Sequence, residues 1–423
     1  MTTISRIQAS IQELKELETT IRYYVYNDTN MTLPSVRQNA LQNSKPWTWT
    51  ARWGTRFADY AKGEIRWLQA LEMHPMRTHN VSEAAFFVVP IPVGATYFWA
   101  TQIDRTNAFR HLLQHPLFQK YPEKHVSAFA TTEKVFTNFW GLSKEELKKF
   151  KPTTVVRDSD VSNWNQWLLK HDRKFGTYLP PSPAEEYQHS LELQQFSHVV
   201  ALGYGGEGSN PDNAYQPITA EQWHKKTYWF FYHSREAGSA NNSTIFRHAL
   251  LPKGFLQENY QQAAMKKNVS QPFLSILQQF QHQPVTIGYD IPPDQWNREF
   301  SDSKFCLIIR GDQPASRSMA RAVRAGCMPL VISDSLPAFQ PLYSKTIQYN
   351  DFAVIVKEDN FIKDPIRSLD GAVSSLSEDD LQRKLEGLRL MQRIVACDQP
   401  DSLFVPAFAR EIVQTMNKTI QIE

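Results

Sequence analysis

The stretch SKFCLIIRGDQPASRSMARAVRAGCMPLVISD, Ser303 to Asp334, constrains the fold more than any other. Phe305 to Ile309 is an apolar run of strand length, and a second run closes the stretch from Met328. Between them lies a polar loop, RGDQPA, whose Gly311 and Pro314 are turn formers, and then a helical pattern that starts at Ala315 or Ser316. Met319, Ala322, Val323 and Gly326 recur at i, i+3, i+4 and i+7, which gives that helix one apolar face. Strand, loop, helix and strand in this order form a crossover unit of an α/β layer.

The rest of the chain repeats the alternation. In the first half, TIRYYVYN is a strand candidate, and a helical pattern through Phe57, Tyr60, Ala61, Ile65, Leu68 and Leu71 is stopped by Pro75. SEAAFFVVPIP, HVSAFAT and SHVVAL add strands. The segment ALGYGGEGSNPDNAYQPIT is rich in Gly, Pro, Asn and Asp and reads as a linker. Beyond it, TYWFFYH, PVTIGYD and FAVIVK are strands, and Ser377 three residues before Asp380 opens a helix with a capping pattern. The expected organisation is an α/β domain over residues 1–205, a linker over 206–218, a second α/β domain over 219–400, and a helix over 401–423 that packs back toward the first domain. Ligands of such folds lie at the C-terminal ends of the strands.

Composition narrows the function. A net charge of +3 without a long Lys/Arg block argues against a nucleic-acid partner. No run is long and apolar enough to span a bilayer, and the N-terminal MTTISRIQASIQELKELETT lacks the uninterrupted apolar core of a signal peptide. A cytoplasmic location is compatible with that; sequons at Asn27, Asn30, Asn80, Asn241, Asn242, Asn268 and Asn417 hint weakly at a secretory lumen. The three cysteines, Cys306, Cys327 and Cys397, contain no CxxC pair, so no zinc site is expected. Cys306 and Cys327 flank the helix on neighbouring strands. Buried thiols are the simpler expectation, and a bridge in an oxidising lumen is the other. G-x-S-x-G, H-E-x-x-H and G-x-x-x-x-G-K-[ST] are absent.

The arginines of the Ser303–Asp334 stretch carry the chemistry. A helix N-terminus offers unpaired N–H groups and partial positive charge, which suits a phosphate. Ser316 adds a hydroxyl, and Arg310 and Arg317 add guanidinium forks. Arg317, Arg321 and Arg324 fall on one helix face by spacing. The plainer reading of that face is a solvated one.

The stretch also resembles the C-terminal signature of exostosin-like glycosyltransferases: an FCL strand, a G-D-x-P-x-S loop at Gly311 to Ser316, a helix ending in A-G-C-x-P, and then V-I-S-D. YYVYN, SEAAFFVVPIPVG and KKTYWFFYHSRE are similar to earlier segments of that family, in order. The resemblance implies a GT-B-like α/β fold, with two Rossmann-like domains facing a central cleft. It implies inverting transfer of a sugar from a nucleotide-diphosphate sugar to a glycan or glycoprotein acceptor, with no cofactor and no obligatory metal, in the Golgi lumen or at its membrane. Gly311, Ser316, Arg310 and Arg317 are then donor-binding, with Arg321 on the helix, Arg235 and Arg247 from FFYHSREAGSANNSTIFRHAL and Asp334 at a strand end as further candidates. The plainer reading of Asp334 is a turn or helix cap. Arg321 stands where family members carry a carboxylate for the donor ribose, and Ser318 stands where an arginine is usual. That change of sign supports an alternative, a catalytically inactive relative that binds an anionic glycan. For the general base, the first half offers His125 and the D-x-D pair Asp158 and Asp160 after TTVV, although a polar loop explains the pair as well.

Overall fold

The computed structural model describes residues 3–42, 51–128, 142–150, 152–157, 170, 198–202, 215–233, 284–288, 292–309 and 318–420. They hold two β-sheets. The first is built from β1 (Tyr23–Val25), β2 (Arg77–Thr78), β3 (Phe86–Val89), β4 (His125–Ala128), β5 (Thr154–Arg157) and β6 (His198–Ala201), in the order β2-β1-β3-β4-β5-β6. The second is built from β7 (Tyr228–His233), β8 (Thr286–Gly288), β9 (Ser303–Ile309), β10 (Met328–Ile332) and β11 (Val354–Ile355), in the order β11-β10-β9-β7-β8. Every described pairing in both sheets is parallel.

The two orders are the same topology. In each sheet the first strand lies between the second and the third, so the chain crosses one way and then the other. That reversal opens a crevice at the carboxyl ends of the first and third strands, β1 and β3 in one sheet, β7 and β9 in the other. Strands covered on both faces by helices read as continuous apolar runs. β3 and β10 are buried at every position.

Helices used below are α1 (Thr3–Thr20), α2 (Ala51–Met73), α3 (Val93–Trp99), α4 (Gln102–Gln114), α5 (Pro293–Ser301), α6 (Ser318–Arg324), α7 (Glu378–Val395) and α8 (Phe404–Ile420). Residues from both sheets share one buried cluster with α1, α2, α7 and α8. On α8, Phe404 stacks on Trp67 at 5.3 Å, and Phe408 lies 6.4 Å from Phe86 of β3. Each such buried ring contributes about 1.5–3 kcal/mol of apolar burial. α1 is tied down by polar contacts: Ser10 Oγ donates to the Thr346 carbonyl at 3.0 Å, Arg6 pairs with Asp351, and Glu13 pairs with Arg410 at 2.5 Å.

The A-G-C-x-P run has a backbone cause. Gly326 adopts φ +64°, the left-handed region that ends a helix. The Gly326 N–H donates to Val323 O at 3.0 Å and the Cys327 N–H to Ala322 O at 2.9 Å, which closes α6. A side chain at Gly326 would put Cβ 2.8 Å from the Gln216 carbonyl oxygen. The turn delivers Cys327 to Cys306 on β9, and the two form a disulfide with Cα atoms 5.8 Å apart. The simpler expectation of two buried thiols is therefore corrected. The cause is parallel register: β9 and β10 pair Cys306 with Pro329, so the cysteine just ahead of β10 comes within bonding distance.

The shared arginine face is corrected too. Arg324 is 1% exposed, and its two terminal nitrogens donate to the two carboxylate oxygens of Asp398 at 2.7 and 2.9 Å. It is a core ion pair and not part of a solvated face.

Candidate functional site

The crevice of the first sheet is bounded by the residues that follow β1 and β3. Asp28 comes three residues after Val25 and caps a short helix, with its Oδ1 accepting the Asn30 N–H at 2.8 Å. Its other oxygen faces Nε2 of His111 on α4 at 2.5 Å. Desolvation works to raise the Asp28 carboxyl, but the Asn30 N–H and His111 outweigh it and hold the group below the usual carboxylate range. The side chains are 28% and 36% exposed, so the pair is reachable from solvent.

At the end of β3 the chain turns into α3, and the first N–H groups of that helix already have a partner. Glu64 of α2, 1% exposed, accepts the Gly94 N–H at 2.7 Å and the Ala95 N–H at 3.2 Å through one oxygen. An internal carboxyl thus occupies this helix end. Burial pushes Glu64 up to about 8, against the two N–H groups and Arg37, which favour the charged form. Its folded value lies above the ordinary 4.5, so its contribution to stability is complete below pH 4.5 and is lost as pH rises to about 8. Glu64→Gln keeps an acceptor for the N–H groups and carries no charge. The expected outcome is that the variant loses less stability than the wild type between pH 5 and pH 8 by urea denaturation; parallel pH profiles would contradict the assignment.

His125, expected as a base, is a core residue. It is fully buried at the start of β4, among Tyr26, Phe87 and Phe118. Its Nδ1 donates to the Tyr121 carbonyl at 2.7 Å, so its Nε2 accepts the Tyr26 hydroxyl. Burial lowers its pKa to about 4. Both ring nitrogens are engaged and the side chain has no solvent access.

In the second sheet, His233 ends β7 beside the β7/β9 crevice. Its Nε2 lies 2.9 Å from Thr286 Oγ1, and that hydroxyl in turn donates to Glu299 of α5. A hydroxyl has one proton, so Nε2 carries the hydrogen that reaches Thr286. Gln295 holds the other Glu299 oxygen at 2.7 Å. Arg321 lays its guanidinium over the Trp296 ring at 5.2 Å. Asp334, two residues after β10, exchanges backbone contacts with Glu358: the Asp334 N–H donates to Glu358 at 2.8 Å and the Glu358 N–H to Asp334 at 3.3 Å.

Arg310, Gly311, Ser316, Arg317, Arg235, Arg247, Asp158 and Asp160 lie outside the described residues. Among the described residues, no group of His, Cys, Asp and Glu side chains is arranged to hold a metal ion. A shallow depression lined by Gln216, Asn297, Arg298, Ser301 and Asp302 sits at the amino ends of β7 and β9, where the Tyr228 N–H meets the Asp302 carbonyl at 3.0 Å. It is on the wrong side for the crevice.

A family model, the Exostosin GT47 domain, matches residues 18–369. The chain belongs to the exostosin GT47 family. The match begins ahead of β1 and ends beyond β11, so it takes in every strand of both sheets. The exostosin GT47 family is one of glycosyltransferases. Among curated proteins, the chain is 37% identical over 76 residues to the Exostosin-1 homolog of Caenorhabditis elegans, covering 17% of this chain. The matched segment spans 19% of that relative's length. Among the described residues, no helix of this exostosin GT47 chain is long and apolar enough to cross a membrane.

Proposed function

We propose that the chain is an inverting glycosyltransferase of GT-B architecture, taking a nucleotide-diphosphate sugar as donor and a glycan or glycoprotein as acceptor. The observation that carries the reading is the family match across two parallel sheets of one topology. The donor belongs at the carboxyl end of β9, which Arg310, Gly311, Ser316 and Arg317 follow in the sequence. Guanidinium groups and backbone N–H groups there offset the charge that develops on the departing diphosphate. The equivalent turn of the first sheet is already occupied by Glu64, which favours the second sheet as the donor side. No metal is required by this arrangement. The Cys306–Cys327 bridge supports an oxidising compartment, in keeping with the Golgi lumen or membrane.

Arg321 favours a second reading, a non-catalytic relative that binds an anionic glycan. Calorimetry with uridine diphosphate separates the two. The first reading expects binding by the wild type and a drop of tenfold or more, roughly the worth of one charged contact, in Arg317→Ala. No binding by the wild type, with binding created by Arg321→Glu, would establish the second. Hydrolysis of a donor sugar by the wild type would eliminate it.

A further inference from the structure

We infer that His111, oriented by Asp28, is the general base of the transfer step. The inference rests on the glycosyltransferase reading and supplies the group that His125 cannot. Three observations carry it. The pair stands just past β1, at the crevice that the strand order of the first sheet opens to a ligand. It is half-buried and open to solvent, whereas His125 is fully buried and the Nδ1 of His115 accepts the Leu117 N–H at 3.2 Å. Its hydrogen bonding also fixes where a proton can go. Asp28 is ionised and only accepts, so the hydrogen of a neutral His111 ring sits on Nε2 and the lone pair on Nδ1. Among the described residues Nδ1 has no hydrogen-bond partner.

The step balances with the two substrates alone. The acceptor hydroxyl oxygen bonds to the anomeric carbon of the donor while its proton moves to His111 Nδ1. The bond from the anomeric carbon to the diphosphate oxygen breaks, and its electron pair leaves with the nucleoside diphosphate. The Asp28 carboxylate then stabilises the imidazolium. Among the described residues, the charged and titratable groups around the ring are Asp28 from the β1 end and His115, one turn along at the end of α4.

The test compares wild type, His111→Gln and Asp28→Asn. Uridine diphosphate affinity is measured by calorimetry, and transfer is read as uridine diphosphate release from a panel of uridine-diphosphate sugars with a soluble glycan acceptor. Gln keeps a donor to Asp28 and removes the proton acceptor. The expected result is a kcat lower by about 10²–10⁴-fold in His111→Gln, unchanged nucleotide affinity, and loss of the acid limb from the kcat/KM pH profile. Wild-type turnover by His111→Gln overturns the inference and leaves the glycosyltransferase reading standing. A wild type that neither binds the nucleotide nor transfers sugar overturns both. If His111→Gln does not fold, Asp28→Asn decides: unchanged kcat overturns the inference, and a fall on the order of tenfold or more with unshifted nucleotide affinity supports it.

Discussion

Arg324→Ala is expected to destabilise the chain by about 3–5 kcal/mol, the cost of breaking a buried ion pair from one side. The guanidinium is 1% exposed, grips Asp398 with two nitrogens, and lies 5.3 Å from the Tyr215 ring. Removing it leaves Asp398 poorly solvated, with its side chain 20% exposed, and opens a void beside Tyr215. The residual access to water places the effect nearer the lower end of the range. The double variant Arg324→Met with Asp398→Leu removes both charges and fills the space, so it is expected to recover much of the loss. Urea denaturation of the two single variants and the double variant measures the coupling. Additive losses would show that the pair contributes nothing beyond its parts.

Cys306→Ala with Cys327→Ala is expected to cost about 3 kcal/mol. The bridge closes 21 residues of chain, which limits the unfolded ensemble, and it ties β9 to the start of β10 at the centre of the second sheet. Non-reducing peptide mapping of the wild type should yield the Cys306–Cys327 linked peptide and a thiol at Cys397. Two alkylatable thiols at Cys306 and Cys327 in protein from its native compartment would refute the bridge and remove the argument for an oxidising location.

Much of this architecture is legible in the sequence, for physical reasons. Phe305–Ile309 of β9 and all of β10 are buried, so their apolar runs are unbroken and bounded by polar residues. The spacing of Ser377 and Asp380 predicts a cap, and the Ser377 hydroxyl accepts the Asp380 N–H at 3.1 Å. β2 is not legible in the sequence, because the two residues Arg77 and Thr78 carry no period. The misplacement of Arg324 has a different origin. Helical spacing puts it beside Arg321, and nothing local announces that Asp398, 74 residues away, closes over it. The same limit hid the candidate base. Asp28 and His111 are 83 residues apart, and only the return of α4 past the end of β1 joins them. An aspartate that caps a helix directly after a strand was the one available signal, and it resembles many ordinary turns. His233 closes the TYWFFYH run, and nothing local to that run announces its partners Thr286 and Glu299, which come from β8 and α5.

The central claim is sugar transfer with inversion. The most direct measurement is proton NMR of the product formed from an α-linked uridine-diphosphate sugar and a soluble glycan acceptor. Inverting transfer yields a new β-glycosidic anomeric signal that grows with released uridine diphosphate. An α-linked product would contradict inversion, and a folded chain that yields no product and releases no nucleotide across the donor panel would contradict transfer itself.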